Sequence, residues 1–128
     1  MNTAQETMRQ LNRNALFGQE NGLDIMIEDY TDPDGRIYRI EYQSTADGQH
    51  AVAFCRHNPW GNINGDTVYE ESHIDRDGFV CVGTKSIRSV GDSPYSLEYV
   101  VARARYWCTA FSVLKETGAF PNPQQGNN

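Results

Sequence analysis

The sequence predicts an α+β domain: an N-terminal helix, a four-stranded antiparallel meander, a functional loop and a long C-terminal helix. Three observations predict it. Thr3-Ala4-Gln5-Glu6 has the spacing of a helix-opening capping box, and segments of period-two alternation recur between turns rich in Gly, Asp and Pro. Further on, Leu97, Val100, Val101, Ala104, Trp107, Cys108, Phe111 and Leu114 recur at three- and four-residue steps. An apolar stripe of that width requires a sheet to cover it.

The capping box opens a helix predicted over residues 4–16, with Met8, Leu11 and Ala15 on one side and Arg9 and Arg13 on another; Gly18 and Gly22 stop it. Leu23, Ile25 and Ile27 then alternate with Asp24, Met26 and Glu28, the period of a half-buried strand. Asp32-Pro33-Asp34-Gly35 supplies a turn, since Pro fixes φ and Gly tolerates a positive one. A second strand, about 36–43, sets Tyr38, Ile40 and Tyr42 against Arg39 and Glu41. Ala46-Asp47-Gly48 signals another hairpin, and His50 to Arg56 forms the third strand. After the irregular Asn58-Pro59-Trp60-Gly61-Asn62, a short fourth strand is predicted at Thr67-Val68-Tyr69-Glu70. Trp60 there is either a hydrophobic plug or a partner contact. For the last helix, Ser93 caps, Pro94 suits the first position, Lys115 lies in the last turn, Gly118 ends it and Pro121 blocks continuation. Order is expected over residues 4–121, with a flexible tail at 122–128.

With 128 residues, 38% apolar content, two Trp, seven Tyr and five Phe, the chain is expected to bury one core as a single domain, residues 1–128. A formal charge of −6 and a pI near 4.9 set it against nucleic acid, whose phosphates would repel it, and no basic patch offsets this. No apolar run approaches the roughly 20 residues needed to cross a bilayer. The polar opening Met1-Asn2-Thr3-Ala4-Gln5-Glu6 lacks the basic and apolar blocks of a signal peptide, so the expected location is cytoplasmic and away from membranes.

The chemistry-bearing segment is His73-Ile74-Asp75-Arg76-Asp77-Gly78-Phe79-Val80-Cys81-Val82-Gly83, with one imidazole before a tight turn and one thiol after it. A thiolate attacks carbonyls readily, and the thioester it forms still reacts with amines and other thiols. Three cysteines at 55, 81 and 108, without a Cys-x-x-Cys pair, fit a reducing compartment. Cys55 in a strand and Cys108 on a helix stripe read as small core hydrophobes. Cys81 is the candidate nucleophile, against the alternative of a buried strand cysteine between Val80 and Val82. Asp75 and Asp77 read as turn formers. A rival arrangement is a zinc site of Cys55, His57, His73 and Cys81, although Cys-x-His on a strand is unusual ligand spacing. A cysteine hydrolase fits less well, since such nucleophiles usually open a helix.

These residues resemble a family. An N-terminal helix, a meander, a His-x-x-x-Asp-Gly-x-x-Cys segment, a Ser-Pro loop and a long helix look like the ubiquitin-conjugating enzyme fold. Within it, the likeness is to short bacterial members of antiphage defence operons. Those members show a His eight residues before the Cys, a Gly three before it, and a helix ending in Thr-Gly-x-aromatic-Pro. Here these are His73, Gly78, Cys81 and Thr117-Gly118-Ala119-Phe120-Pro121, and the likeness runs over about residues 4–121. Eukaryotic members carry His-Pro-Asn before the Cys. This chain has Glu71-Ser72-His73, so His73 falls at the position of the Asn.

The resemblance implies an acyl (thioester) transferase that needs no cofactor and no metal. Cys81 would accept the C-terminal carbonyl of a ubiquitin-like protein, or another activated protein C-terminus, from a ubiquitin-activating-like enzyme. It would then pass that acyl group to an acceptor protein. His73 would donate to the oxyanion of the tetrahedral intermediate, and Asp92 in the loop before the helix would help an acceptor amine lose its proton. Arg9 and Arg13 would be a docking face for the activating enzyme, or else solvated helix charges. The alternative of another class is a non-catalytic binding module on the same fold, with the thiol incidental.

Overall fold

The chain is described by a computed structural model over residues 2–61, 72–75, 77–83, 87 and 89–121. The strand expected at Thr67-Val68-Tyr69-Glu70 and the tail 122–128 lie outside those residues. Helix α1 (Ala4–Leu11) opens on the expected capping box: the Glu6 amide donates to Thr3 Oγ1 at 3.2 Å and the Thr3 amide to Glu6 Oε1 at 2.8 Å. It ends at Leu11 and not at residue 16. Asn12 turns extended there because its side chain has better partners outside the helix. Its Nδ2 donates to Glu28 Oε1 at 3.0 Å, and its Oδ1 accepts from the Asn14 amide at 3.0 Å.

Four strands follow in the order β1 (Leu16–Glu20), β2 (Leu23–Thr31), β3 (Ile37–Ser44) and β4 (Ala51–His57), each antiparallel to the next. Strands β2, β3 and β4 form the predicted antiparallel run, but the remaining strand of the sheet, β1, comes from residues assigned by sequence to the helix and its stop. Asn21 and Gly22, with φ of 54° and 81°, form the two-residue turn that joins β1 to β2. The Asp32 turn forms as expected, with Asp32 Oδ1 accepting from the Asp34 and Arg36 amides at 2.9 Å each.

The register decides which side of the sheet is core. Met26 pairs with Tyr42 and Glu28 with Ile40, and Tyr38, Ile40 and Tyr42 are wholly buried. Met26 and Glu28 therefore face the core from β2, with Asp24 buried on the same side; on the other face Ile25 is buried too, while Leu23 and Ile27 are only half-buried. Glu28 is tolerated inside because every neighbour donates to it: Arg105 Nη2 at 2.7 Å and Nε at 3.0 Å, Tyr42 Oη at 2.6 Å, and Asn12. Burial pushes this carboxyl up, and the hydrogen bonds from Arg105, Tyr42 and Asn12 outweigh it, so its pKa ends below the usual value.

A 3₁₀ turn (Val90–Asp92) leads to helix α2 (Leu97–Thr117), which lies over the sheet with α1. The helix starts at Leu97 with Ser96 as its cap, not at Ser93-Pro94. The Tyr95 carbonyl accepts from the Ala51 amide at 3.0 Å, which ties residue 95 to the start of β4, and Ser96 is still extended. Gly118 ends the helix at φ 88°, its amide bonded to the Leu114 carbonyl at 2.8 Å. Trp107, Phe111, Val100 and Val101 bury their side chains against Tyr38, Ile40 and Met26, each contributing about 1.5–3 kcal/mol. Trp60 packs against this core, and its indole opens a chain of donors to Tyr38, Ser112 and Asp32 at 3.3, 2.7 and 2.6 Å. This is the plug of the two roles considered. Among the described residues no helix is long and apolar enough to cross a membrane.

Candidate functional site at the rim hairpin

Residues 73–75 and 77–81 form the two arms of a small hairpin docked on the edge of β4. Asp75 builds its turn: the Asp75 amide donates to the Phe79 carbonyl at 3.1 Å, the Gly78 amide to the Asp75 carbonyl at 2.9 Å, and Asp75 Oδ1 accepts from the Asp77 and Phe79 amides at 2.8 and 3.0 Å. Gly78 takes φ 93°, which the turn requires. The return arm then pairs with β4, with Cys55 N–H to Gly78 O at 2.8 Å and Val80 N–H to Ala53 O at 2.9 Å. The Phe54 and Phe79 rings stack at 5.0 Å across this seam.

Cys81 follows directly. Its amide donates to the His73 carbonyl at 2.8 Å, and Ile74 pairs with Val80, so the hairpin brings the two expected site residues together through their main chains. Val80 and Val82 are buried while Cys81 between them is half-exposed, because alternate residues of an extended segment point to opposite sides. The other two thiols are buried, as their sequence contexts suggest. Burial pushes the Cys55 thiol up to about 12, and its Sγ donates to the His57 carbonyl at 3.3 Å. Burial pushes the Cys108 thiol up further. The rival zinc site is not assembled: among the described residues, which include Cys55, His57, His73 and Cys81, no three His, Cys, Asp or Glu side chains are placed to hold a metal.

His73 adopts φ 59°, a left-handed conformation that side-chain-bearing residues seldom take and that His tolerates better than most. It is fixed from two sides by α2 and its cap. The Trp107 indole N–H donates to the Ser72 carbonyl at 2.9 Å, and the Phe120 ring stacks on the His73 imidazole at 4.3 Å and 28°. Neither hold could be read from local sequence, since both join residues far apart in the chain. The Thr117–Pro121 motif was the one visible signal.

Asp92 is exposed on the 3₁₀ turn, where Ser89 Oγ donates to its Oδ2 at 3.0 Å; its contact is with Ser89 and not with Cys81 or His73. Sequence reasoning also missed Tyr95 and Tyr99, stacked at 4.8 Å beside Gly83. A Cβ at Gly83 would stand 2.8 Å from the Tyr95 hydroxyl, so only glycine lets the strand leaving Cys81 pass the start of α2 this closely. Arg9 is exposed and its guanidinium lies 4.5 Å over the Phe17 ring of β1, while Arg13 is exposed beyond the end of α1. Comparison with family profiles, curated proteins and solved structures finds no significant match to this chain.

Proposed function

We propose that this chain is a ubiquitin-conjugating-like transferase of bacterial antiphage defence, carrying the C-terminal carbonyl of a ubiquitin-like or otherwise activated protein as a thioester on Cys81. The observation that carries this reading is the contrast among three thiols: two lie in the core, and Cys81 is half-exposed on a hairpin whose main chain ties it to His73. The helix, four-strand antiparallel sheet and long helix also suit the resemblance drawn from the His73, Gly78 and Cys81 spacing.

The Cys81 thiolate attacks the thioester held by a ubiquitin-activating-like enzyme, a new sulfur–carbonyl bond forms, and the activating enzyme's thiolate leaves. An acceptor amine then attacks the same carbonyl and the Cys81 thiolate departs. Both steps pass through a tetrahedral oxyanion, for which an imidazole N–H from His73 serves as donor. A lysine acceptor, with an ordinary pKa of about 10.4, must lose a proton first; Asp92, which the resemblance gives that part, is engaged by the Ser89 hydroxyl and not by the Cys81–His73 hairpin.

The purified protein is incubated with ATP and with an activating enzyme and ubiquitin-like protein taken from its own gene neighbourhood. A reducing-agent-sensitive adduct that vanishes in Cys81→Ala supports the reading, and an adduct that persists in that variant rejects the nucleophile. Absence of any adduct, with partner capture unaffected by Cys81→Ala, favours a non-catalytic binding module. Leu16 and Ile37, 63% and 51% exposed on the sheet face that points away from the helices, are the observation behind that second reading.

A further inference from the structure

We propose that Phe120 is a positioning residue for the His73 imidazole: the aromatic that follows α2 clamps the ring whose main chain holds Cys81. The inference rests on the transferase reading and adds a residue to it. The backbone around His73 is over-determined. The buried Ser72 carbonyl is held by Trp107, the His73 carbonyl by the Cys81 amide, and Ile74 by pairing with Val80. These holds keep His73 at φ 59°, a conformation that persists only where its surroundings enforce it.

With the main chain fixed, the stacked Phe120 ring narrows the two side-chain torsions of the imidazole. A ring stacked at 4.3 Å occupies one π-face and engages no ring nitrogen in the plane, so it orients the imidazole without using its hydrogen-bonding capacity. Phe120 is itself held. Gly118 turns the chain back at φ 88°, the Ala119 amide donates to Thr117 Oγ1 at 3.3 Å, and the half-buried Phe120 packs on the core. Trp107 and Phe120 thus belong to one helix and its cap, and between them they fix both the main chain leading into His73 and its side chain. A donor must sit where the oxyanion will form, and a misplacement of about 1 Å costs up to about a hundredfold in rate.

The test uses a short peptide with a C-terminal glycine thioester of 2-mercaptoethanesulfonate. Cys81 attacks its carbonyl and releases the small thiol; hydroxylamine then attacks the new thioester, forms the carbon–nitrogen bond, loses a proton to buffer and releases the Cys81 thiolate. The full chain is compared with Phe120→Leu, Phe120→Tyr, His73→Ala and the Phe120→Leu/His73→Ala double variant. Expected are unchanged loading, a discharge slowed about tenfold or more in Phe120→Leu, recovery in Phe120→Tyr, and a double variant no slower than His73→Ala alone. The NMR signals of the His73 ring should carry a ring-current shift that disappears in Phe120→Leu. Normal discharge in Phe120→Leu while His73→Ala is slow overturns the clamp alone, as does a fully additive loss in the double variant, which marks Phe120 as a hydrophobic plug. Normal discharge in His73→Ala removes the His73 role and the clamp with it. Failure of Cys81 to load overturns the transferase reading itself.

Discussion

The interior beneath the sheet and the rim hairpin at β4 both hold ionisable groups, and they treat them in opposite ways. Inside, Glu28 is given four donated hydrogen bonds and Asp32 is met by Ser112, Arg36 and Asp34, while the Cys55 and Cys108 thiols are held protonated by burial. At the rim, main-chain hydrogen bonds tie the hairpin together, and Cys81 is half-exposed opposite His73, whose backbone takes a left-handed conformation. Cys55 and Cys81 are the sharpest case. They flank the same seam between β4 and the hairpin, yet the pleat sends one sulfur into the core and leaves the other at the surface. A group in the interior is stabilised in one protonation state, whereas a group at the rim keeps access to partners.

The largest test of this contrast is alkylation. Iodoacetamide at pH 8 on the native protein should modify Cys81 more than about a hundredfold faster than Cys55, because a thiol pushed up to about 12 is scarcely ionised there. Peptide mapping measures the two rates, and comparable labelling of Cys55 and Cys81 would break the distinction. All three cysteines should react once urea unfolds the chain.

Next in size is the interior charge pair. Glu28→Leu leaves the Arg105 guanidinium and the Tyr42 hydroxyl without their acceptor, and should lower the unfolding free energy by about 3–5 kcal/mol in urea titrations. Cys81 alkylation in the folded variant should be unaltered, since the Glu28 network shares no bond with the hairpin. Adding Arg105→Met should restore part of the loss, and no recovery would mean that the network acts through packing alone.

The smallest effect is that of acid. Glu28 and Asp32 are held below their ordinary values of 4.5 and 3.8, so the folded state binds protons less readily than the unfolded one. Their contribution is complete above those values and is lost as pH falls through the depressed folded ones. Stability should therefore change little from pH 7 to about 5 on this account, then decline below 4.5. Glu28→Leu should show a shallower decline, and an equal slope in both proteins would contradict the assignment.

The sequence alone carried the capping box at Thr3 and Glu6, the Asp32 and Asp75 turns, Gly118 as the helix stop and the inward stripe of α2. Each depends on a few neighbouring residues and on backbone preferences that act over one turn. It also separated Cys81 from the two core thiols, because a residue just after a Gly turn and before Gly83 differs locally from one inside a strand or on a helix stripe. What it misread was decided across longer distances. Asn12 left the helix to reach Glu28, Asn21-Gly22 paired β1 with β2, and the register against Tyr38, Ile40 and Tyr42 buried Glu28 in place of Ile27. Arg105, far along the chain, makes that burial affordable, and Trp107 and Phe120 hold the segment before Cys81 from equally far away. Local propensity is written in adjacent residues, but the solvation of a charge and the aim of a side chain are set by whatever the completed fold brings beside them.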